Sequence, residues 1–187
     1  MSEDLPLKTG TVIGTFNTKN NREVTFRTPR WEDLDDFLEL INSLVEEGAD
    51  IYFDKKLTRE EETEWLAKLL TNIERDTTRS IVAEIDGKMI GQADVGRKRY
   101  RQRHVGSIGV TVHNGFRDIG IGSDLLKEIE TQAKQMSLEI LTLDVASSNS
   151  RARHVYEKLG YRETDEIPKG LIKDEERVDI IQMAKEI

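Results

Sequence analysis

The chain has 187 residues, of which 34% are charged and 36% hydrophobic, and its net charge is -8 at pH 7. This length suits one domain with a sizeable core, and the acidic balance disfavours general binding to nucleic acid or to anionic membranes. The absence of cysteine excludes disulfides, thiolate metal sites and a cysteine nucleophile. Because the first ten residues lack an apolar signal core and no apolar run reaches about 20 residues, we expect a cytoplasmic protein without a membrane span.

The first half of the chain predicts two β-hairpins with two helices between them. Alternating apolar and polar residues indicate the strands, and apolar residues at helical spacing indicate the helices. Thr58 and Glu61 form the capping-box pattern at which we expect the second helix to begin. In chain order, the predicted elements cover residues 11–16, 22–27, 31–48, 58 onward, 79–85 and 88–96.

The second half predicts four strands and two helices, and no linker or internal repeat divides the chain. The strand at 138–146 is so apolar that we expect it to be buried on both faces. In chain order, the predicted elements are strand 105–113, helix 120–136, strand 138–146, helix 147–160 and strands 161–172 and 177–187. One mixed α/β domain is the simplest account of this order.

A basic run, RKRYRQRH at 97–104, connects the second hairpin to the following strand. A tyrosine among five basic residues fits a nucleic-acid surface. A solvated hairpin tip explains the same pattern, and the net charge favours that interpretation. If the run has a function, we expect it to guide an acidic acceptor to the active site.

The segment FRDIGIGSDLL, residues 116–126, places Gly120 and Gly122 where a strand gives way to a helix. The first amides of a helix lack intrahelical partners, so glycines here would let a phosphate approach them, with Arg117 as a bidentate donor. Tight packing of strand against helix is the alternative use of the glycines. The segment is not a P-loop, and Leu125 replaces the third glycine of a dinucleotide-binding fingerprint.

A second motif follows, consisting of Asn149, Ala152 and the run YEKLGY that begins at Tyr156. Together with R-x-x-G-x-G at 117–122, this motif resembles the GNAT superfamily of acetyl-CoA-dependent N-acetyltransferases. The resemblance is strong over residues 104–160, the implied acetyl-CoA-binding core, and looser over the rest of the chain. Residues 1–22 look like an N-terminal β extension.

The resemblance implies a single α/β domain over residues 1–187, with a mixed, mostly antiparallel sheet that splays at its centre and carries helices on both faces. Acetyl-CoA would lie in the gap as a co-substrate, with no metal. Its pantetheine would pair with a strand, and its pyrophosphate would meet the amides of 117–123. The implied cofactor-binding residues are Val110, Thr111, Val112, Arg117, Asp118, Ile119, Gly120, Ile121, Gly122, Ser123, Asn149, Ala152 and Tyr156.

The implied reaction is direct attack of a primary amine on acetyl-CoA in a ternary complex. Tyr156 would be the acid for the departing thiolate, although packing alone also explains a tyrosine at this spacing. The backbone amide of Val110 or Val112 would stabilise the oxyanion. Some members of the family carry a glutamate base on the strand before the glycines, but residues 106–109 hold no carboxylate. The remaining candidates for the base are Glu46, Glu47, Glu84, Asp94, His104 and His113.

The acceptor stays open among a small-molecule amine, a polyamine and a protein amine. The acidic segments 46–54 and 60–64 favour a cationic acceptor if the first two helices border its pocket. The alternative function is a non-catalytic acetyl-CoA sensor, which would bind the cofactor and acetylate no amine. The resemblance also makes a homodimer one expectation, through edge strands or the C-terminal hairpin.

Overall fold

A computed structural model describes residues 7–187, and its elements follow the predicted order. The first six residues of the predicted N-terminal extension lie outside the described residues. The strands are β1 (Val12–Asn17), β2 (Glu23–Arg27), β3 (Thr78–Ile85), β4 (Lys88–Arg97), β5 (Val105–Val112), β6 (Ile140–Ala146), β7 (Arg162–Lys173) and β8 (Glu176–Glu186). The helices are α1 (Leu34–Glu46), α2 (Arg59–Glu74), α3 (Ile121–Gln135) and α4 (Ser150–Lys158).

The eight described strands form one sheet in the order β1-β2-β3-β4-β5-β6-β8-β7. Every neighbouring pair is antiparallel except β5 and β6. That parallel pair is joined only from Val105 opposite Ile140 to Ser107 opposite Thr142, although both strands continue beyond. The two strands therefore diverge, which confirms the mostly antiparallel sheet that splays at its centre.

Helices cover both faces of the sheet, as predicted. Side chains alternate along β3, so Ile81 and Val82 point into opposite layers. Val82 packs in the cluster formed with α1 and α2, whereas Ile81 packs in the larger cluster that includes α3 and Tyr156 of α4. No helix within residues 7–187 is long and apolar enough to cross a bilayer.

The second helix begins where its capping box predicts. The Thr58 hydroxyl accepts a hydrogen bond from the Glu61 amide at 3.2 Å, and the Glu61 carboxylate accepts one from the Thr58 amide at 2.7 Å. Two amides that lack intrahelical partners are thus satisfied.

Strand β6 departs from its prediction, because it is not buried on both faces. Leu141 and Leu143 are buried, but Thr142 is half-buried and Asp144 is exposed. The sheet opens beside β6, so this face of the strand borders a cleft instead of a packed layer. An apolar run of this length does not reveal such an opening, since the periodicity of the strand is unchanged by it.

A buried ion pair anchors α1 to the sheet. The Arg27 guanidinium donates to both Asp33 carboxylate oxygens at 2.7 Å, and its Nε donates to Glu84 at 2.7 Å. Arg27 and Asp33 are each 3% exposed at their side chains. These contacts join β2, the start of α1 and β3, and they hold α1 over the face of the sheet on which a second cavity lies.

Candidate active site

The gap between β5 and β6 opens into a cleft of about 1060 Å³. The end of β5, the start of α3, the end of β6 and α4 supply its walls. The cleft brings together eleven predicted residues: Val110, Thr111, Val112, Arg117, Asp118, Gly120, Gly122, Ser123, Asn149, Ala152 and Tyr156. Ile119 and Ile121 do not line it, because their side chains pack into the core and leave only their backbone near the glycines.

The edge of β5 presents backbone groups to the cleft. The His113 amide donates to the Ile90 carbonyl of β4 at 2.9 Å, and the Lys98 amide donates to the Val105 carbonyl at 2.9 Å. Odd-numbered residues of β5 therefore bond to β4, and alternation turns the amide and carbonyl of Val110 towards β6. Because β6 has diverged at this point, the Val110 amide is available to a ligand.

The two glycines at the start of α3 serve different purposes. Gly120 has φ 101°, a left-handed conformation that glycine adopts without strain. A Cβ at Gly122 would meet only the Val112 Cγ2 atom, at an ordinary 3.6 Å. The protein's own packing therefore does not require glycine at 122. The space that a side chain at 122 would occupy is open, and its use by a phosphate stays a prediction.

Arg117 does not point freely into the cleft. Its Nε donates to the Val112 carbonyl at 3.0 Å, and its guanidinium pairs with Glu47 in the loop after α1. Asp118, at the mouth of the cleft, pairs with Arg151 of α4 at 2.7 Å. These contacts make Arg117 a brace for the glycine loop, and its role as a direct phosphate donor stays a prediction.

Asn149 and Tyr156 position α4 beside the gap. The Asn149 Oδ1 atom accepts a hydrogen bond from the Ala152 amide at 3.1 Å and so caps the helix. Tyr156 is 8% exposed, and its hydroxyl makes no hydrogen bond within residues 7–187. Burial raises the pKa of Tyr156 to about 12, so the phenol keeps its proton at neutral pH.

Lys19 is a cleft residue that the sequence did not suggest. It lies in the turn between β1 and β2, where its amide donates to the Ile119 carbonyl at 3.4 Å. Its Cε lies 3.9 Å from the position of a Cβ at Gly120, and its ammonium pairs with no carboxylate among residues 7–187. The turn between β1 and β2 thus places a cation beside the glycine loop. Turn composition cannot reveal this contact, because it spans about a hundred residues of chain.

A second cavity, of about 410 Å³, lies between the sheet and the pair α1 and α2. It shares Gly109, Val110 and Thr111 of β5 with the larger cleft. Phe37 and Trp65, which meet edge to face with ring centroids 5.1 Å apart, form part of its apolar wall. The two cavities therefore meet at the end of β5, so that molecules in each could touch there.

Two carboxyl groups without partners face this second cavity. Asp94 of β4 lies opposite Gly109, and its Oδ1 atom is 3.4 Å from the position of a Cβ there. Glu62 of α2 is 3% exposed. Neither side chain makes a hydrogen bond or an ion pair within the part of the chain described, residues 7–187. Burial raises the pKa of Asp94 to about 6 and that of Glu62 to about 7.

A sequence signal for Glu62 exists. It precedes Leu66, Leu69 and Ile73 at spacings of four, three and four residues, so it lies on the buried stripe of α2. A carboxylate on a buried stripe is the exception that merits explanation. Sequence patterns identify Glu62 only as one member of the acidic segment 60–64.

The other predicted bases are engaged or distant. Glu84 pairs with Arg27, Glu46 with Lys56 and Glu47 with Arg117. The remaining two are histidines. His113 accepts a hydrogen bond from the Gly115 amide at 3.3 Å, and His104 lines neither cavity. Asp94 is therefore the candidate that is both free and beside the junction of the cavities.

The basic run 97–104 lies at the start of β5, away from the junction. None of its residues lines either cavity. The run therefore contacts neither cavity, and its guidance of an acidic acceptor stays a prediction. Tyr100 at its tip is 85% exposed, which fits a solvated turn.

The raised pKa of Glu62 predicts how stability depends on pH. The folded state keeps the proton between the ordinary pKa of 4.5 and about 7, whereas the unfolded state releases it, so this contribution is lost as the pH rises through that window. Replacing Glu62 with Gln removes the dependence. The free energy of unfolding of Glu62→Gln, relative to that of the parent, should therefore rise by about 2 to 3 kcal/mol from pH 5 to pH 8.

Urea unfolding of both proteins at the two pH values measures this difference. Glu64→Gln, a change at an exposed position of the same helix, is the matched control. Its effect on the free energy of unfolding should be the same at both pH values. A Glu62→Gln effect that is independent of pH would contradict burial of an ionisable carboxyl group.

The comparisons with known proteins agree with this geometry. The profile of the Acetyltransferase (GNAT) family matches residues 37–161. An uncharacterized N-acetyltransferase of Methanocaldococcus jannaschii is 30% identical over 158 residues, which are 82% of this chain and 67% of that protein.

Two solved structures share the fold. A ribosomal-protein-alanine N-acetyltransferase from Brucella melitensis has a TM-score of 0.77 at 26% identity, over 87% of this chain and 99% of that one. A phosphinothricin acetyltransferase from Sinorhizobium meliloti, solved in complex with AcCoA, has a TM-score of 0.78 at 18% identity, over 88% of each chain, which is a likeness of fold alone. With its splayed sheet and glycine-led α3, the chain belongs to the GNAT family of acetyltransferases.

Proposed function

We propose that this protein transfers an acetyl group from acetyl-CoA to a primary amine by direct attack in a ternary complex. The observation that carries this proposal is the junction of two cavities at Gly109, Val110 and Thr111. A cofactor in the larger cleft and an amine in the smaller one would meet there without an acetylated intermediate on the protein. The complex of the Sinorhizobium meliloti acetyltransferase with AcCoA supports acetyl-CoA as the donor.

The larger cleft offers a complementary surface to each part of the cofactor. The first amides of α3 and the space over Gly122 would take the pyrophosphate, with the Lys19 ammonium beside them. The free backbone edge at Val110 would bond the pantetheine as a neighbouring strand would. Asn149 and Ala152 would bound the other side of the channel.

Two groups at the junction, the Val110 amide and Asp94, divide the chemistry with Tyr156 of the larger cleft. Acetyl-CoA, when bound, supplies the thioester carbonyl that the amine attacks. The Val110 amide would donate to the oxygen that becomes negative, and Asp94 would accept the proton that the nitrogen loses as the C–N bond forms. As the C–S bond breaks, the Tyr156 hydroxyl would give its proton to the departing thiolate.

Asp94 supplies the carboxylate that β5 lacks. Some members of the family carry a base on the strand before the glycines, but residues 106–109 of this chain hold no carboxylate. The absence of a side chain at Gly109 leaves room for Asp94, its partner across β4 and β5, to occupy the same region. A raised pKa brings this carboxyl group nearer to the pH at which general bases work best.

The phosphate site predicts a loss of cofactor binding in Gly122→Glu. The new carboxylate would fill the open space and repel the pyrophosphate, so we expect acetyl-CoA to bind about 100-fold more weakly or worse. Isothermal titration calorimetry measures the affinity. Gly96→Glu is the control, since Gly96 lines neither cavity and a Cβ there would meet only Thr78, at 3.8 Å. Parent-like binding by Gly122→Glu would show that the phosphate lies elsewhere.

The acid role predicts that Tyr156→Phe separates binding from turnover. The phenyl ring keeps the packing against Tyr161, so the affinity for acetyl-CoA should stay within about twofold of the parent. The maximal rate of CoA release should fall about 100-fold, because the thiolate then leaves without a proton donor. An unchanged rate would remove Tyr156 from the chemistry.

The base role predicts a feature in the pH profile. In the parent, kcat/KM for a monoamine should fall more steeply as the pH is lowered below about 6, because protonated Asp94 accepts no proton. This fall adds to the decrease that protonation of the amine itself causes. Asp94→Asn should remove the additional fall and lower kcat/KM by about 100-fold on the plateau. Persistence of the additional fall in Asp94→Asn would assign it to another group.

A further inference from the structure

The charged side chains that line the second cavity are all acidic. Its lining holds three carboxyl groups, and among residues 7–187 no lysine, arginine or histidine lines it. The remaining lining groups are aromatic, aliphatic or neutral polar. The residues that line it are Phe37, Leu40, Ile41, Phe53, Leu57, Glu61, Glu62, Trp65, Gln92, Asp94, Gly109, Val110 and Thr111. A ligand with a carboxylate would find no counter-charge in this wall.

Glu61 and Glu62 are neighbours with different surroundings. Glu61 is committed to the cap of α2 and lies 4.0 Å from Lys55. Glu62 has no such partner, although it is far more buried. Burial of a carboxylate without a partner is costly, and a cation brought to it would offset that cost. The raised pKa of Glu62 reflects the same lack of a partner.

Apolar side chains form much of the lining of the second cavity. Glu62 projects from α2 and Asp94 from β4, so the two carboxyl groups belong to opposite walls. Phe37 of α1 and Trp65 of α2 line the same cavity and offer no polar group except the indole N–H. A chain of methylene groups would fill this space and bury its apolar surface.

We propose that the acceptor is a free, compact diamine whose second ammonium group pairs with Glu62 while the first amine attacks beside Asp94. This inference rests on the proposed function and names its substrate class. A lysine side chain of a protein brings only one ammonium group and would leave Glu62 unpaired. An amino acid would bring its carboxylate into a wall that holds only negative charge.

Binding can be measured apart from catalysis. Calorimetry on the protein saturated with coenzyme A compares cadaverine with pentylamine and δ-aminovalerate, which keep the same chain length and change only the second group. We expect cadaverine to bind about tenfold or more tightly than pentylamine, because a hydrogen bond to a charged group is worth at least that factor. We expect δ-aminovalerate to bind most weakly. Equal affinities for the three ligands would overturn the inference.

The variant Glu62→Gln tests whether Glu62 is the source of this preference. It should reduce the preference for cadaverine over pentylamine to about twofold or less, because the amide carries no charge. Glu64→Gln, the same change at an exposed position of α2, should keep the full preference. An undiminished preference in Glu62→Gln would overturn the assignment.

Assays of CoA release separate this inference from the proposed function. If pentylamine and cadaverine are acetylated with equal kcat/KM, the acetyltransferase function stands and the diamine class is wrong. If cadaverine binding depends on Glu62 but neither cadaverine, pentylamine nor δ-aminovalerate is acetylated, the cation-binding site stands and the proposed acetyl transfer is wrong.

Discussion

The early end of pairing between β5 and β6 is the constraint on which the site depends. At the last paired residues the packing is tight, since a Cβ at Gly106 would come within 2.7 Å of Val95 and 2.8 Å of Leu138. Beyond Ser107 the strands part, and the amide and carbonyl of Val110 lose the neighbour that a continuous sheet would give them. Backbone groups in such a position need another partner, and a strand-like ligand provides one.

The end of β5 also divides two electrostatic environments. On one side lie the amides of α3 and the Lys19 ammonium, a setting that favours anions. On the other side lie Asp94 and Glu62, a setting that favours cations. An anionic donor and a cationic acceptor would thus enter from opposite sides and meet at Val110. The Arg117–Glu47 ion pair ties the glycine loop to the end of α1, a helix that borders the second cavity.

Much of this arrangement could be predicted from the sequence because it is encoded locally. Apolar spacing identified the helices and strands, the Thr58 capping box placed the start of α2, and two short motifs identified the cleft and the family. The contacts that refine the site are not local. Arg117 meets Glu47 across 70 positions, and Lys19 reaches the glycine loop only because β1 and β2 extend the sheet. Whether β6 borders a packed layer or a cleft depends on its neighbour and not on its own composition.

A crystal structure of the protein with acetyl-CoA bound tests the central claim most directly. The predicted result has the pyrophosphate on the amides of Gly122 and Ser123, the thioester oxygen accepting from the Val110 amide and the sulfur beside the Tyr156 hydroxyl. A cofactor bound outside the gap, or a Val110 amide bonded to β6 with the gap closed, would contradict the division of the site at the end of β5.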